Sequence, residues 1–248
     1  MDRFHFIFLQ AMDIVRENGL DSKVTLIKGR LEETTLPHEK FDVIVSEWMG
    51  YFLLFEGMLD SVLAARDKYL KPGGTILPSR CSIHLTALSD VQRYNSLVGF
   101  WSDVYGFKMS CMRGPILGEA NVEVVASEHI VSNSQRVHDL DITTCTVADT
   151  EFSSDFSLEI NRSCELTAIV GYFDTFFELE ERPVEFSTGP LATPTHWKQT
   201  AFYLPEVLPV VKDQVVSGKI TCKRMATDAR ALKVALTLEG RQYRYTVD

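Results

Sequence analysis

The sequence predicts an α/β unit followed by a longer β-rich unit, and three observations predict it. Helical and strand patterns alternate as far as Leu77. After Pro78 one helical excursion is followed only by short period-two stretches. Turn residues separate those stretches throughout. No internal repeat or low-complexity tract interrupts this order.

Residues 9–18 place Leu9, Met12 and Val15 on one stripe of a short amphipathic helix, with Gly19 as a left-handed stop. Val24 to Ile27 reads as a strand, and residues 30–40, with Pro37, as a polar loop. Phe41 to Val45 is a near-continuous apolar run, the pattern of a buried strand. Residues 56–70 follow as a helix with Leu59, Val62 and Leu63 inward, ended by Lys71-Pro72-Gly73-Gly74; Thr75 to Leu77 restarts a strand. Alternation of this kind implies crossovers and a parallel sheet, of which only part is encoded. Such a half-sheet leaves an open edge and an uncovered apolar face.

Beyond Pro78, residues 89–102 are helical. Cys164, Leu166, Ala168, Val170 and Tyr172 fall at period two, as do Phe202 and Leu204, and Leu232, Val234, Leu236 and Leu238. Thr188-Gly189-Pro190, Ser217-Gly218 and Glu239-Gly240 supply turns. Many short strands after an α/β unit imply a barrel or sandwich, with the boundary near residue 78.

The chain has 248 residues, 45% hydrophobic and 24% charged, as in ordinary globular proteins. No run of 18 apolar residues exists, and the short apolar patch at the start lacks a cleavage site, so neither a membrane span nor a signal peptide is expected. Five scattered cysteines without a CxxC pair indicate neither a disulfide framework nor a metal site and fit a reducing compartment. A formal charge of −9 argues against direct nucleic-acid binding and favours basic partners.

Chemistry concentrates between the strand at 41–45 and the helix at 56–70. The loop Ser46-Glu47-Trp48-Met49-Gly50-Tyr51-Phe52-Leu53-Leu54-Phe55-Glu56 carries only Glu47 and Glu56 as charged groups, among aromatic and aliphatic side chains. Two glutamates nine apart are otherwise ordinary solvated charges or a helix N-terminal acid. In so apolar a setting they are costly to desolvate unless a cation sits between them, and a planar guanidinium suits two carboxylates. The loop also leaves the carboxyl end of a strand, where ligands gather in open α/β sheets.

This segment, continued to Leu59, resembles the double-glutamate loop of the protein arginine methyltransferases. Thr195-His196-Trp197, followed by Lys198-Gln199-Thr200, resembles their second signature. Phe100-Trp101, Asp103 to Phe107 and Met109 to Met112 resemble the segment forming their dimerisation arm. The likeness runs from about Gln10 to the end, and the wording of the arm and of Glu151 to Phe156 leans toward the methyltransferase 3 branch.

The resemblance implies a partial Rossmann-like half that binds S-adenosylmethionine over residues 1–78. Residues 79–248 would form a β-barrel substrate domain with a helical arm at about 89–113. It implies catalytic roles for Glu47, Glu56 and His196, and substrate-channel walls from Tyr51 and Trp197. Leu31 and Glu32 would meet the adenine, with Met58 beside the reacting methyl. A lone histidine in a β region is otherwise a hydrogen-bonded structural group, and Tyr51 and Trp197 would by default be core aromatics. Met58 and the Thr-His-Trp loop accompany asymmetric dimethylation in the family. Its substrates are Arg-Gly-rich segments of RNA-associated or ribosomal proteins; it works as a homodimer, in the cytoplasm and also the nucleus.

The sequence departs from the family at its start. The only glycines before the acidic loop are Gly19 and Gly29, and neither belongs to a Gly-x-Gly turn. The acidic residue expected at the cofactor ribose falls near Arg3, with Asp2 one residue away. Residues 1–8 thus look like a foreign start, and cofactor binding and activity are expected to be impaired. The alternative is a catalytically silent chain that dimerises with a full-length partner or binds basic peptides.

Overall fold

The structure is a computed structural model that describes residues 3–179 and 181–248. Asp2 lies outside them. Its first part holds helix α1 (Arg3–Glu17), strand β1 (Phe41–Val45), helix α2 (Leu59–Tyr69) and strand β2 (Leu70–Leu77). Strand β3 (Arg80–Leu88) is followed by helices α3 (Val91–Leu97) and α4 (Arg113–Gly118). Strands β4 (Asn121–Glu123), β5 (Gln135–Asp141), β6 (Phe152–Glu159), β7 (Cys164–Phe177) and β8 (Val184–Ser187) come next. β9 (Gln199–Val210), β10 (Val215–Arg224), β11 (Leu232–Leu238) and β12 (Arg241–Val247) complete the chain.

α1 starts six residues earlier than the periodicity predicts and stops at Gly19, whose φ of +62° is the left-handed conformation a helix end requires. Val24 to Ile27 do not form the expected strand: no neighbouring strand is positioned to take their backbone groups, and β1 pairs only with β2 among the described residues. β1 and β2 are parallel, as predicted. Lys71 to Gly74 are not a clean helix stop, because β2 begins at Leu70. The pairing instead jumps from Phe41 with Leu70 to Val43 with Thr75, so residues 71–74 bulge out of the ladder.

β1 is also not buried. Val43 and Val45 are 51% and 70% exposed, because one edge and part of one face of this two-stranded sheet are uncovered.

The β-rich part is two sheets. One runs β12-β11-β10-β6; the other runs β4-β9-β7-β3-β5, with β8 on β7. Ile83, Ile169, Phe173 and Phe202 from the second sheet meet Phe156, Ile220, Leu236 and Tyr245 from the first in one core. β7 and β9 bury both faces. A register shift between Leu166 and Ala168 turns Ala168 and Val170 outward, where Tyr94 and Val98 of the α3 segment cover them with Ala201 and Tyr203. The predicted helical excursion is thus α3 and a short 3-10 turn at Gly99–Ser102, capped by Asp90, which accepts from the Arg93 N–H at 2.8 Å. No helix among the described residues is long and apolar enough to cross a membrane.

Candidate functional site

The loop between β1 and α2 is held by its own apolar side chains. Trp48, Met49, Phe52, Leu53 and Leu54 are all buried. Burial of this size offsets a backbone cost, since Phe52, Leu53 and Glu56 all have φ between +50° and +76°. Each such residue costs about 1–3 kcal/mol and persists only where its surroundings over-determine it. Short bonds close the loop on itself: Gly50 N–H donates to Leu53 O at 2.9 Å and Phe55 N–H to Tyr51 O at 3.1 Å. Phe52 reaches into the barrel, over Gly171, where any Cβ would collide with its ring, and meets Phe202 edge-on at 5.3 Å. A rigid base therefore projects Glu47, Tyr51, Phe55 and Glu56 outward.

The barrel brings the second motif to the same place. The Trp197 indole N–H donates to Met49 O at 2.7 Å, and its ring stacks on Phe186 and meets Phe173 edge-on, both at 5.6 Å. His196 lies over Trp197 with ring centres 3.9 Å apart. Glu47, Tyr51, Phe55, Glu56, Met58, His196 and Trp197 line one cleft of about 160 Å³. Every residue to which the sequence assigned a catalytic or substrate role is thus in one cavity.

The expected desolvation is not complete, however, for Glu47 is exposed and Glu56 half-buried.

A second, larger cavity of about 650 Å³ lies behind it, lined by Leu31, Glu32, Val43, Val45, Ser46, Met58 and Ser61 among others. Ser61 donates to Glu32 Oε1 at 2.6 Å, and this bond chiefly holds the Glu32 carboxyl below its usual range. An apolar slot with one ionised carboxylate at its rim fits the adenine side of S-adenosylmethionine. Among the described residues, neither Gly19 nor Gly29 lines it. Met58 lines both cavities and is the one side chain they share among the described residues. Among the described residues no cluster of His, Cys, Asp or Glu is placed to hold a metal.

Sequence reasoning missed two side chains: Ser61, which lines the larger cavity, and Arg230, which lines neither but bonds a glutamate of the smaller one. Ser61 lies three residues after Met58, a helical spacing that puts both on one face and could have been read. Arg230, whose guanidinium bonds Glu56 Oε1 at 3.0 Å, lies 174 residues away in the β10–β11 turn, and no local pattern announces it.

Residues 79–243 match the family description "Arginine methyltransferase oligomerization subdomain". The chain is 44% identical over 230 residues to protein arginine N-methyltransferase 1 of Chlamydomonas reinhardtii, covering 93% of this chain and 67% of that protein. It is 41% identical over 233 residues to protein arginine N-methyltransferase 1 of Saccharomyces cerevisiae, covering 93% and 67%. Across such curated relatives the chain spans about three fifths to two thirds of their length. Their name does not support the leaning toward the methyltransferase 3 branch. Among solved structures, the Trypanosoma brucei methyltransferase 1 enzyme–prozyme heterotetrameric complex with AdoHcy superposes with a TM-score of 0.93 at 33% identity, over 98% of this chain and 79% of that one. Arabidopsis thaliana protein arginine methyltransferase 10, described as uniquely open, gives 0.83 at 26% identity, over 97% and 80%.

Proposed function

The chain belongs to the protein arginine methyltransferase family, and on that premise we propose that its acidic cleft holds the guanidinium of a peptide arginine for methyl transfer from S-adenosylmethionine. The observation that carries this reading is the shared lining of two cavities: Glu47, Glu56, Tyr51, His196 and Trp197 on one side, Leu31 and Glu32 on the other, and Met58 between them. When bound, S-adenosylmethionine supplies an electrophilic methyl group on a sulfonium centre.

The side chains present do the rest. A guanidinium cannot be deprotonated by an ordinary base, since its pKa exceeds about 12. Glu47 and Glu56 draw its positive charge toward the nitrogens they bind, which leaves the remaining nitrogen more nucleophilic and turns it toward Met58. Alignment of this kind is worth up to roughly 7–11 kcal/mol in favourable intramolecular models. Tyr51 and Trp197 wall the cleft beside the cation, and a ring face open to it adds about 0.5–2 kcal/mol. His196, exposed at the cleft rim, takes up the proton released as the product forms.

Asymmetric dimethylation of Arg-Gly-rich segments of RNA-associated or ribosomal proteins is the finer form of this reading, supported by the acidic charge of −9 that suits basic peptides. A homodimer through the arm at residues 89–113 is supported by its exposed aromatics, Phe100, Tyr105 and Phe107. Five free thiols suit the reducing cytoplasm and nucleus. The domain division at residue 78 follows the change from the β1–β2 pair to the two larger sheets.

The open face at Val43 and Val45 favours a second reading, a chain that binds S-adenosylmethionine weakly and acts as the silent partner of another methyltransferase chain. Calorimetry with S-adenosylmethionine, paired with transfer of labelled methyl to an Arg-Gly-rich peptide, separates the two. Weak or absent cofactor binding by the isolated chain is expected. Robust transfer by the chain alone would remove the silent reading, and folded protein that neither transfers nor prefers arginine peptides would remove the first.

A further inference from the structure

The carboxylate of Glu56 is already engaged by a cation of this chain. The Arg230 guanidinium donates from Nη2 to Glu56 Oε1 at 3.0 Å and lies over the Phe55 ring at 5.8 Å. Phe55 in turn stacks on Tyr51, 5.8 Å away and within 9° of parallel. The same turn also fixes the backbone: the Glu56 N–H donates to Arg230 O at 2.9 Å, and the Arg230 N–H to Asp228 Oδ1 at 2.9 Å. Met225 N–H closes the turn on Ala231 O at 2.9 Å. Gly57 completes the contact, since a Cβ there would press on Ala229 O at 2.9 Å, and its φ of +66° favours glycine as well.

Two anchors from one residue, one to the backbone and one to the side chain, hold Glu56 in its left-handed conformation at φ +76°. Among the described residues nothing else bonds the Glu56 carboxylate, so Oε2 is left for a ligand. We propose that Arg230 is a positioning residue of the acidic cleft: it occupies one oxygen of Glu56 and presents the other to the substrate guanidinium. The proposal rests on the arginine-binding reading above and adds a residue from the barrel, 174 positions away, to the control of that site.

The physics gives the test a sign. If Arg230 were merely a nearby cation competing for Glu56, its removal would tighten the binding of a cationic peptide. As a positioning residue it does the opposite, because an unheld carboxylate must be ordered at the substrate's expense.

The experiment measures binding of a fluorescein-labelled Arg-Gly-rich peptide and of its citrulline counterpart, which keeps the shape and loses the charge. The full chain is used, as wild type, Arg230→Ala, Arg230→Lys, Glu56→Gln and the Arg230→Ala/Glu56→Gln double variant. Arg230→Ala is expected to weaken the arginine peptide at least about ten-fold, or about 1.4 kcal/mol, and to leave the citrulline peptide unchanged. Arg230→Lys recovers part of the loss, and in the Glu56→Gln background Arg230→Ala has little further effect. Tighter or unchanged arginine binding in Arg230→Ala overturns the proposal, as does an equal loss in the Glu56→Gln background. A wild-type chain that binds both peptides alike would instead overturn the arginine-binding reading, and this inference with it.

Discussion

Trp197 and Met49 join the two halves of the candidate site: the indole N–H of one donates to the backbone carbonyl of the other at 2.7 Å, across 148 residues of sequence. Met49 is 5% exposed, so water has little access to replace that donor. Trp197→Phe leaves a smaller aromatic ring without the indole N–H and strands the carbonyl, a loss of about 1–3 kcal/mol from the lost bond. Urea unfolding should show a lower midpoint with an unchanged slope. An unchanged midpoint would mean that this bond does not tie the acidic loop to the barrel.

Gly171 is small because Phe52 lies on it. Gly171→Ala pushes the Phe52 ring off its seat against Phe202 and disturbs the loop that carries both glutamates. Overpacking of this kind costs about 1–3 kcal/mol. Thermal unfolding should report the loss, and preference for the arginine peptide should fall with it. Wild-type stability in Gly171→Ala would contradict the packing described.

His138 should make stability depend on pH. Burial lowers its pKa below the usual 6.5, and it stacks on Phe152 at 4.3 Å while its ring Nε2–H donates to Asp149 O at 2.8 Å. The folded state thus binds its proton less readily than the unfolded state. Stability is full above about pH 6.5 and falls as pH drops through that value toward the lower folded pKa. His138→Phe should flatten this part of a denaturation-against-pH series. An identical slope in the variant would count against it.

The thiols should separate by reactivity. Cys111 is exposed, whereas Cys81 and Cys222 are fully buried and burial pushes each thiol up to about 12. At pH 8 their thiolate fraction is on the order of 10⁻⁴. A thiol reagent should therefore modify Cys111 first and reach Cys81 and Cys222 only on unfolding. Fast labelling of either buried cysteine in the native protein would contradict the core.

Much of the architecture was legible because it is local. The period-two runs at Leu166, Phe202 and Leu232 gave β7, β9 and β11, and Gly19 marked its helix end. What failed depends on neighbours. Val24 to Ile27 has strand composition without a pairing partner, and the apolar run at Phe41 to Val45 forms a strand whose face is left open. β7 buries both faces only because α3 covers the outer one, which its period-two pattern does not record. Within the site, Glu47 and Glu56 stood out as the only charges in an apolar loop. Arg230 could not, since its partner is far along the chain and its own turn looks like any polar hairpin.

The central claim is that two carboxylates grip the arginine head group, and the affinity of the arginine peptide relative to its citrulline counterpart tests it most directly. The wild-type chain should favour arginine, and Glu47→Gln and Glu56→Gln should each cut that preference by about ten-fold, or about 1.4 kcal/mol. A preference that survives both substitutions intact would contradict the account.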